Sequence, residues 1–130
     1  EAEWEKAARG TNANIYPWGN TDPKDNLLNF NGNVGDTTEV GSYPEGASIY
    51  GALDMSGNVN EWVYDWYDSL FYQNSQLVNP QGPDEGKARG LRGGSWDGSS
   101  DEARSSTRFG ISPSINLNLN LGFRCAMDAD

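Results

Sequence analysis

Apolar positions along this chain come in short bursts separated by long polar stretches. Residues 1–9, Glu-Ala-Glu-Trp-Glu-Lys-Ala-Ala-Arg, are good helix formers, with acids early, Arg9 late and Gly10 as a terminator. Trp4, Ala7 and Ala8 share one face at i, i+3, i+4 spacing, so this segment is a predicted helix. From Thr11 to Pro44 no period survives among Asn, Gly, Asp and Pro, and a loop that long must be disordered or held by something. Residues 61–67 alternate, with Trp62, Tyr64 and Trp66 on one side of a predicted strand. Leu91–Trp96 and Ala103–Phe109 read as paired strands, with Gly93-Gly94 marking a bulge or close approach, and Leu121–Ala126 reads as a last short strand. The loops Asp97–Glu102 and Gly110–Asn120 lie between; the second carries an Ile-Asn-Leu-Asn-Leu-Asn-Leu alternation that also suits a strand. The predicted class is α+β, loop-rich, in one domain.

Composition sharpens this pattern. Only 35% of the 130 residues are hydrophobic and mean hydropathy is −0.75, values that lean toward disorder. Five Trp, six Tyr and four Phe argue the other way, because solvated tails are poor in aromatics. Trp62, Trp66, Trp96 and Phe123 are therefore expected to be core. Nine basic against nineteen acidic residues give a net charge of −10, which disfavours nucleic acid and anionic membrane surfaces as partners. No apolar run reaches the roughly 18 residues of a membrane span. The absence of histidine removes imidazole zinc sites, Ser-His-Asp triads and a histidine base, and the single Cys125 removes a two-thiolate metal site.

Three segments could still carry chemistry. In Leu53-Asp54-Met55-Ser56-Gly57-Asn58-Val59-Asn60-Glu61-Trp62, two carboxylates flank a Gly-containing turn that can fold carbonyls inward, as a hard cation requires. The alternative is a turn capped by Asp54 with Glu61 in solvent. Asn26–Asp36 gathers Asn29, Asn31, Asn33 and Asp36, as a cation loop or a solvated Asx turn. Asp97-Gly98-Ser99-Ser100-Asp101-Glu102 places three acids beside Trp96, with nothing to desolvate them.

Six ordered motifs point to a family. They are Glu1–Gly10, Tyr16-Pro17-Trp18-Gly19, Val40–Pro44, Tyr50–Val59 with Glu61-Trp62, Arg92-Gly93-Gly94-Ser95-Trp96 and Leu121–Ala126. Together they closely resemble the formylglycine-generating-enzyme (sulfatase-modifying factor) family. The resemblance implies a C-type-lectin-like fold and, since it begins at the family's central helix, that residues 1–130 are the C-terminal portion of a single domain. It implies structural calcium at two places: Asp54, Gly57, Val59 and Glu61, and Asn29 and Phe30 completed by the loop around Asn33. Asn60 stands where the family usually has Trp. The enzymatic branch holds copper with two cysteines whose positions fall on Gly98 and Ala103, and a soft Cu(I) site cannot be rebuilt from Gly and Ala. Cys125 matches a different family cysteine, and the lack of histidine excludes the iron-dependent relatives.

The resemblance thus implies a non-catalytic member holding calcium and no copper. Related variable proteins of diversity-generating retroelements display a variable segment between Gly-Gly-Ser-Trp and the final Gly-Phe-Arg, here 97–121. The expected ligand face is Trp96, Asp97, Ser99, Ser100, Asp101, Phe109, Ile111, Asn116 and Asn118, binding a protein or small ligand outside the cell or in the periplasm. The alternatives are a structural subunit of an extracellular assembly, with an oligomer or a missing N-terminal half covering exposed apolar surface, and an enzyme of altered chemistry using Asp97, Asp101 or Glu102.

Overall fold

A computed structural model describes residues 1–115 and 120–127. Helix α1 (Ala2–Arg9) forms as its composition predicts and ends at Gly10, whose positive φ of 66° suits glycine. Strand β1 (Asn60–Trp66) is followed by the single-turn helix α2 (Phe71–Asn74), which carried no clear sequence signal. Strands β2 (Arg89–Arg92), β3 (Phe109–Ile111) and β4 (Leu121–Gly122) complete a sheet in the order β3-β2-β1-β4. β2 runs antiparallel to both β1 and β3, with Glu61 opposite Arg92 and Leu91 opposite Phe109. β4 runs parallel to β1, pairing Leu121 with Asn60 and Gly122 with Glu61. This is an α+β fold with little regular structure.

Three strands are shorter than the pattern predicts. β2 ends at Arg92 because Gly93 and Gly94 turn into the left-handed region, at φ 93° and 72°. Residues 103–106 then form turns and a bend, so the expected partner strand is confined to Phe109–Ile111. The last strand stops at Gly122. Of the alternating segment 115–121, residues 116–119 lie outside the described residues.

The core differs from expectation in a second way. Its apolar part is two small clusters: Trp4, Ala8 and Met55 beneath α1, and Tyr16, Leu28 and Ala103 beneath the long loop. Tyr16 stacks on Trp18 at 5.0 Å. Trp62, Trp66 and Trp96 are only half-buried, and Phe123 is 76% exposed. The reason lies in β1, whose inward positions are Glu61 and Asp65 while Tyr64 stands 90% exposed. The alternation marks two faces correctly, but the charged one faces in. Arg89 lies over the rings of Trp66 and Tyr64 on the outer face, at 3.6 and 5.2 Å.

The charged interior is organised by arginines. Arg92 is fully buried. Its Nη2 donates to Glu5 Oε2 (2.6 Å) and to the Ser105 carbonyl (2.8 Å), and its Nη1 to the Thr107 carbonyl (2.9 Å). Arg108 meets both oxygens of Glu1 at 2.7 and 2.8 Å. Glu61 and Arg124 form a similar pair, described below. Buried charges persist only when paired and hydrogen-bonded in this way.

Candidate functional site

The long irregular stretch is held, and what holds it is main-chain hydrogen bonding to the loop after β2. Asn29 sits at the centre, fully buried, and its carbonyl accepts from Asn58 N–H at 2.9 Å. Gly57 is required here, because a Cβ at that position would lie 2.3 Å from the Asn29 oxygen. The Asn58 carbonyl accepts from Trp96 N–H (2.9 Å), and its side chain clasps the backbone of Thr38 through both amide atoms. Asn31 and Gly32, both in the left-handed region, donate their N–H groups to the carbonyls of Gly98 (2.9 Å) and Trp96 (2.8 Å). The Asn29–Gly32 loop thus forms the floor beneath Trp96–Gly98.

Above that floor, Trp96 Nε1 donates to Asn120 Oδ1 (2.6 Å), and Asn120 Nδ2 donates to Asp97 Oδ1 (2.9 Å). The same Asp97 oxygen accepts from Ser95 Oγ at 2.6 Å. Asp97, Ser99 and Asp101 are exposed. Ser100 is half-buried, and its carbonyl accepts from Tyr16 Oη (3.3 Å). Asp101 pairs with Arg104 on the surface at 3.0 Å. Burial raises the pKa of the Tyr16 hydroxyl, with Arg104 pulling the other way, so it stays a neutral donor.

Of the expected ligand face, the structure therefore brings together Trp96, Asp97, Ser99, Ser100 and Asp101. Phe109 and Ile111 stand on β3, at the opposite edge of the sheet from β4. Asn116 and Asn118 lie outside the described residues. Asn58 and Asn120 were missed by sequence reasoning. The signal for Asn58 was its place in a Ser-Gly-Asn turn, since asparagine is among the few residues that tolerate a left-handed φ, here 63°.

Gly98 and Ala103, the positions at which the resemblance leads one to expect copper cysteines, are both packed closely. Ala103 is a core residue, and its carbonyl accepts from Ser56 Oγ at 2.6 Å. A Cβ at Gly98 would lie 2.6 Å from Glu102 Oε2. The only thiol of the chain, Cys125, is exposed in the segment after β4.

The two candidate calcium segments differ. At the first, Asn29 Nδ2 donates to the Asp36 carbonyl (2.8 Å), but Asn29 Oδ1 is buried without a partner. The Phe30 carbonyl accepts from Asn33 N–H (3.0 Å), and Asn33 Nδ2 donates to Asp25 Oδ1 (3.3 Å). At the second, Asp54 Oδ2 accepts from Gly41 N–H at 2.7 Å. Gly57 and Val59 follow in the turn entering β1, with Gly57 N–H on the Gly93 carbonyl (2.8 Å). Glu61 is buried, with both carboxylate oxygens engaged by Trp4 and Arg124. Among the described residues no three His, Cys, Asp or Glu side chains cluster as a metal centre. No helix among them is long and apolar enough to cross a membrane.

Known proteins are similar to this chain in sequence and fold. The sulfatase-modifying factor enzyme 1-like domain matches residues 1–129. The chain is 44% identical over 98% of its length to a serine/threonine-protein kinase Pkn1 of Chlamydia trachomatis, of which it spans 20%. It is 38% identical over its whole length to a formylglycine-generating enzyme of Streptomyces coelicolor, of which it spans 46%. Treponema denticola variable protein 1 superposes on 94% of the chain with a TM-score of 0.77 and 35% identity, the chain covering 44% of that structure. The chain thus spans less than half of each of these relatives. With a family match over nearly its whole length and the same fold in a solved relative, the chain belongs to the sulfatase-modifying factor enzyme 1-like family.

Proposed function

We propose that this chain is a non-catalytic binding domain of its family, presenting the 97–120 loops to a protein or small ligand from a calcium-stabilised base. The observation that carries this reading is the division of labour in the Ser95–Thr107 segment. Ser95, Gly98, Ala103 and Ser105 are buried, whereas Asp97, Ser99, Asp101, Arg104 and Ser106 point to solvent. Main-chain bonds from Asn31 and Gly32 hold its Trp96–Gly98 stretch independently of the exposed side chains. A rigid base with replaceable polar tips is the physical basis of loop-borne recognition. Gly98 and Ala103 supply no thiolate, which supports binding over copper chemistry.

The calcium part of the proposal rests on Asn29. A buried amide oxygen without a donor costs about 1–3 kcal/mol, and a hard cation is one partner that removes that cost. Asn29 Oδ1 and the Phe30 carbonyl would hold the ion, with the loop around Asn33 closing over it. The bound ion would stiffen the floor under Trp96. Extracellular or periplasmic calcium suits such a module, where weak sites are filled at high ambient calcium.

The test is to randomise positions 99, 101, 104 and 106 together on a display system and measure folding. Most variants are expected to melt within a few degrees of the parent in calcium. Libraries of the buried positions 95, 98, 103 and 105 are expected to be largely unfolded. Equal loss in both libraries overturns the display reading.

A further inference from the structure

The oxygens around Glu61 already surround a cation. Arg124 Nε donates to Glu61 Oε2 (2.7 Å) and Nη2 to Oε1 (2.6 Å), a two-point pairing of planar groups. Arg124 Nη2 also reaches the carbonyls of Leu53 (3.0 Å) and Asp54 (3.2 Å). Glu61 Oε2 takes a further bond from Trp4 Nε1 at 2.7 Å. The Asp54 carboxylate turns to Gly41 N–H. A carboxylate and two main-chain carbonyls of the 53–61 segment converge on a positive charge, but the charge belongs to a side chain and the carbonyls are those of Leu53 and Asp54, not of Gly57 and Val59. The sheet makes the pairing repeatable: Gly122 lies opposite Glu61 in the parallel β1–β4 pair, which delivers Arg124 two residues later.

We propose that the Arg124 guanidinium is the resident cation of the Glu61 carboxylate, so that this carboxylate is a structural anchor and not a ligand of any calcium the chain binds. A divalent ion on Glu61 would have to displace a guanidinium making four hydrogen bonds or sit beside it against like charge. Glu61 instead ties three separate pieces together: α1 through Trp4, β1 through its own backbone, and the segment after β4 through Arg124.

The test is calcium content and melting of the wild-type chain and Glu61→Gln, each dialysed against calcium or against chelator. Glu61→Gln is expected to hold as much calcium as wild type and to lose the same number of degrees in both buffers. Loss of one calcium equivalent, or destabilisation seen in calcium alone, overturns the assignment. If Glu61→Gln does not fold, the side-chain N–H resonances of Arg124 Nε and Trp4 Nε1 in the wild-type nitrogen-15 spectrum decide. They are expected to stay in place as calcium is titrated, and a large shift of both at one equivalent refutes the proposal. Zero calcium in the wild type sinks the Asn29 site while leaving Glu61 assigned to Arg124.

Discussion

Two oxygen-rich loops, 29–33 and 54–61, look alike as strings of residues and differ in what they lack. The first contains a buried acceptor with no donor, Asn29 Oδ1. The second holds a carboxylate with three donors on it, all from side chains distant in sequence. One loop is short of positive charge and the other carries its own. The difference teaches that acid and amide spacing identifies a cage of oxygens, while the occupant depends on which side chains the rest of the fold delivers.

The largest effect that separates the loops belongs to Glu61. Glu61→Ala strands Arg124 and the Trp4 indole together. Arg124 keeps partial access to water, so the loss is expected to be about 2–3 kcal/mol, below that of a fully buried pair. Denaturant unfolding should give the same loss with and without calcium. Next comes Asn29→Asp, which removes the Nδ2 donor to Asp36 and buries a negative charge. In chelator this variant is expected to lose about 1–3 kcal/mol. In saturating calcium it should recover most of that, since an ion bound only by the native state at 100 times its Kd stabilises by about 2.7 kcal/mol. Equal melting in both buffers would erase the contrast between the loops.

The smallest effect is a control on another unpartnered atom. Tyr72 Oη is also buried without a partner, yet it faces a charged cluster. Burial, then Glu1 and Asp65, push its pKa up to about 12. Its neutral form is the one the fold favours. The stability this contributes is complete below pH 10, where the unfolded tyrosine is also neutral, and is lost as pH rises from 10 toward 12. Tyr72→Phe is expected to flatten that alkaline slope in a pH series of melting temperatures. It should change neutral-pH stability by no more than about 0.5 kcal/mol and leave calcium dependence untouched.

How far these features were legible depends on how local their causes are. α1 was readable because its formers, its apolar face and Gly10 lie within ten residues. The Gly93-Gly94 pair announced a close approach, and a Cβ at Gly94 would indeed lie 3.0–3.1 Å from the backbone of Glu102 and Ala103. What the pair does to β2, ending it, needed the φ values. The faces of β1 were legible as alternation, but their direction was not. Aromatic residues on one side and acids on the other suggest the opposite burial until Arg92 and Arg124, 31 and 63 residues from Glu61, are placed. Trp96 and Asp97 were placed on a ligand face only through the family resemblance, whereas Asn58 and Asn120 act through bonds to partners at least 20 residues away.

Arg92 has a consequence for motion. α1 is barely two turns long, too short to persist in water by its own hydrogen bonds. One buried guanidinium joins its Glu5 to the carbonyls of Ser105 and Thr107. The helix and that turn cannot release separately without leaving a bare charge inside. They are expected to open and close as one cooperative unit, with the amide protons of α1 and of residues 105–107 sharing a single opening free energy in hydrogen exchange despite lying about a hundred residues apart.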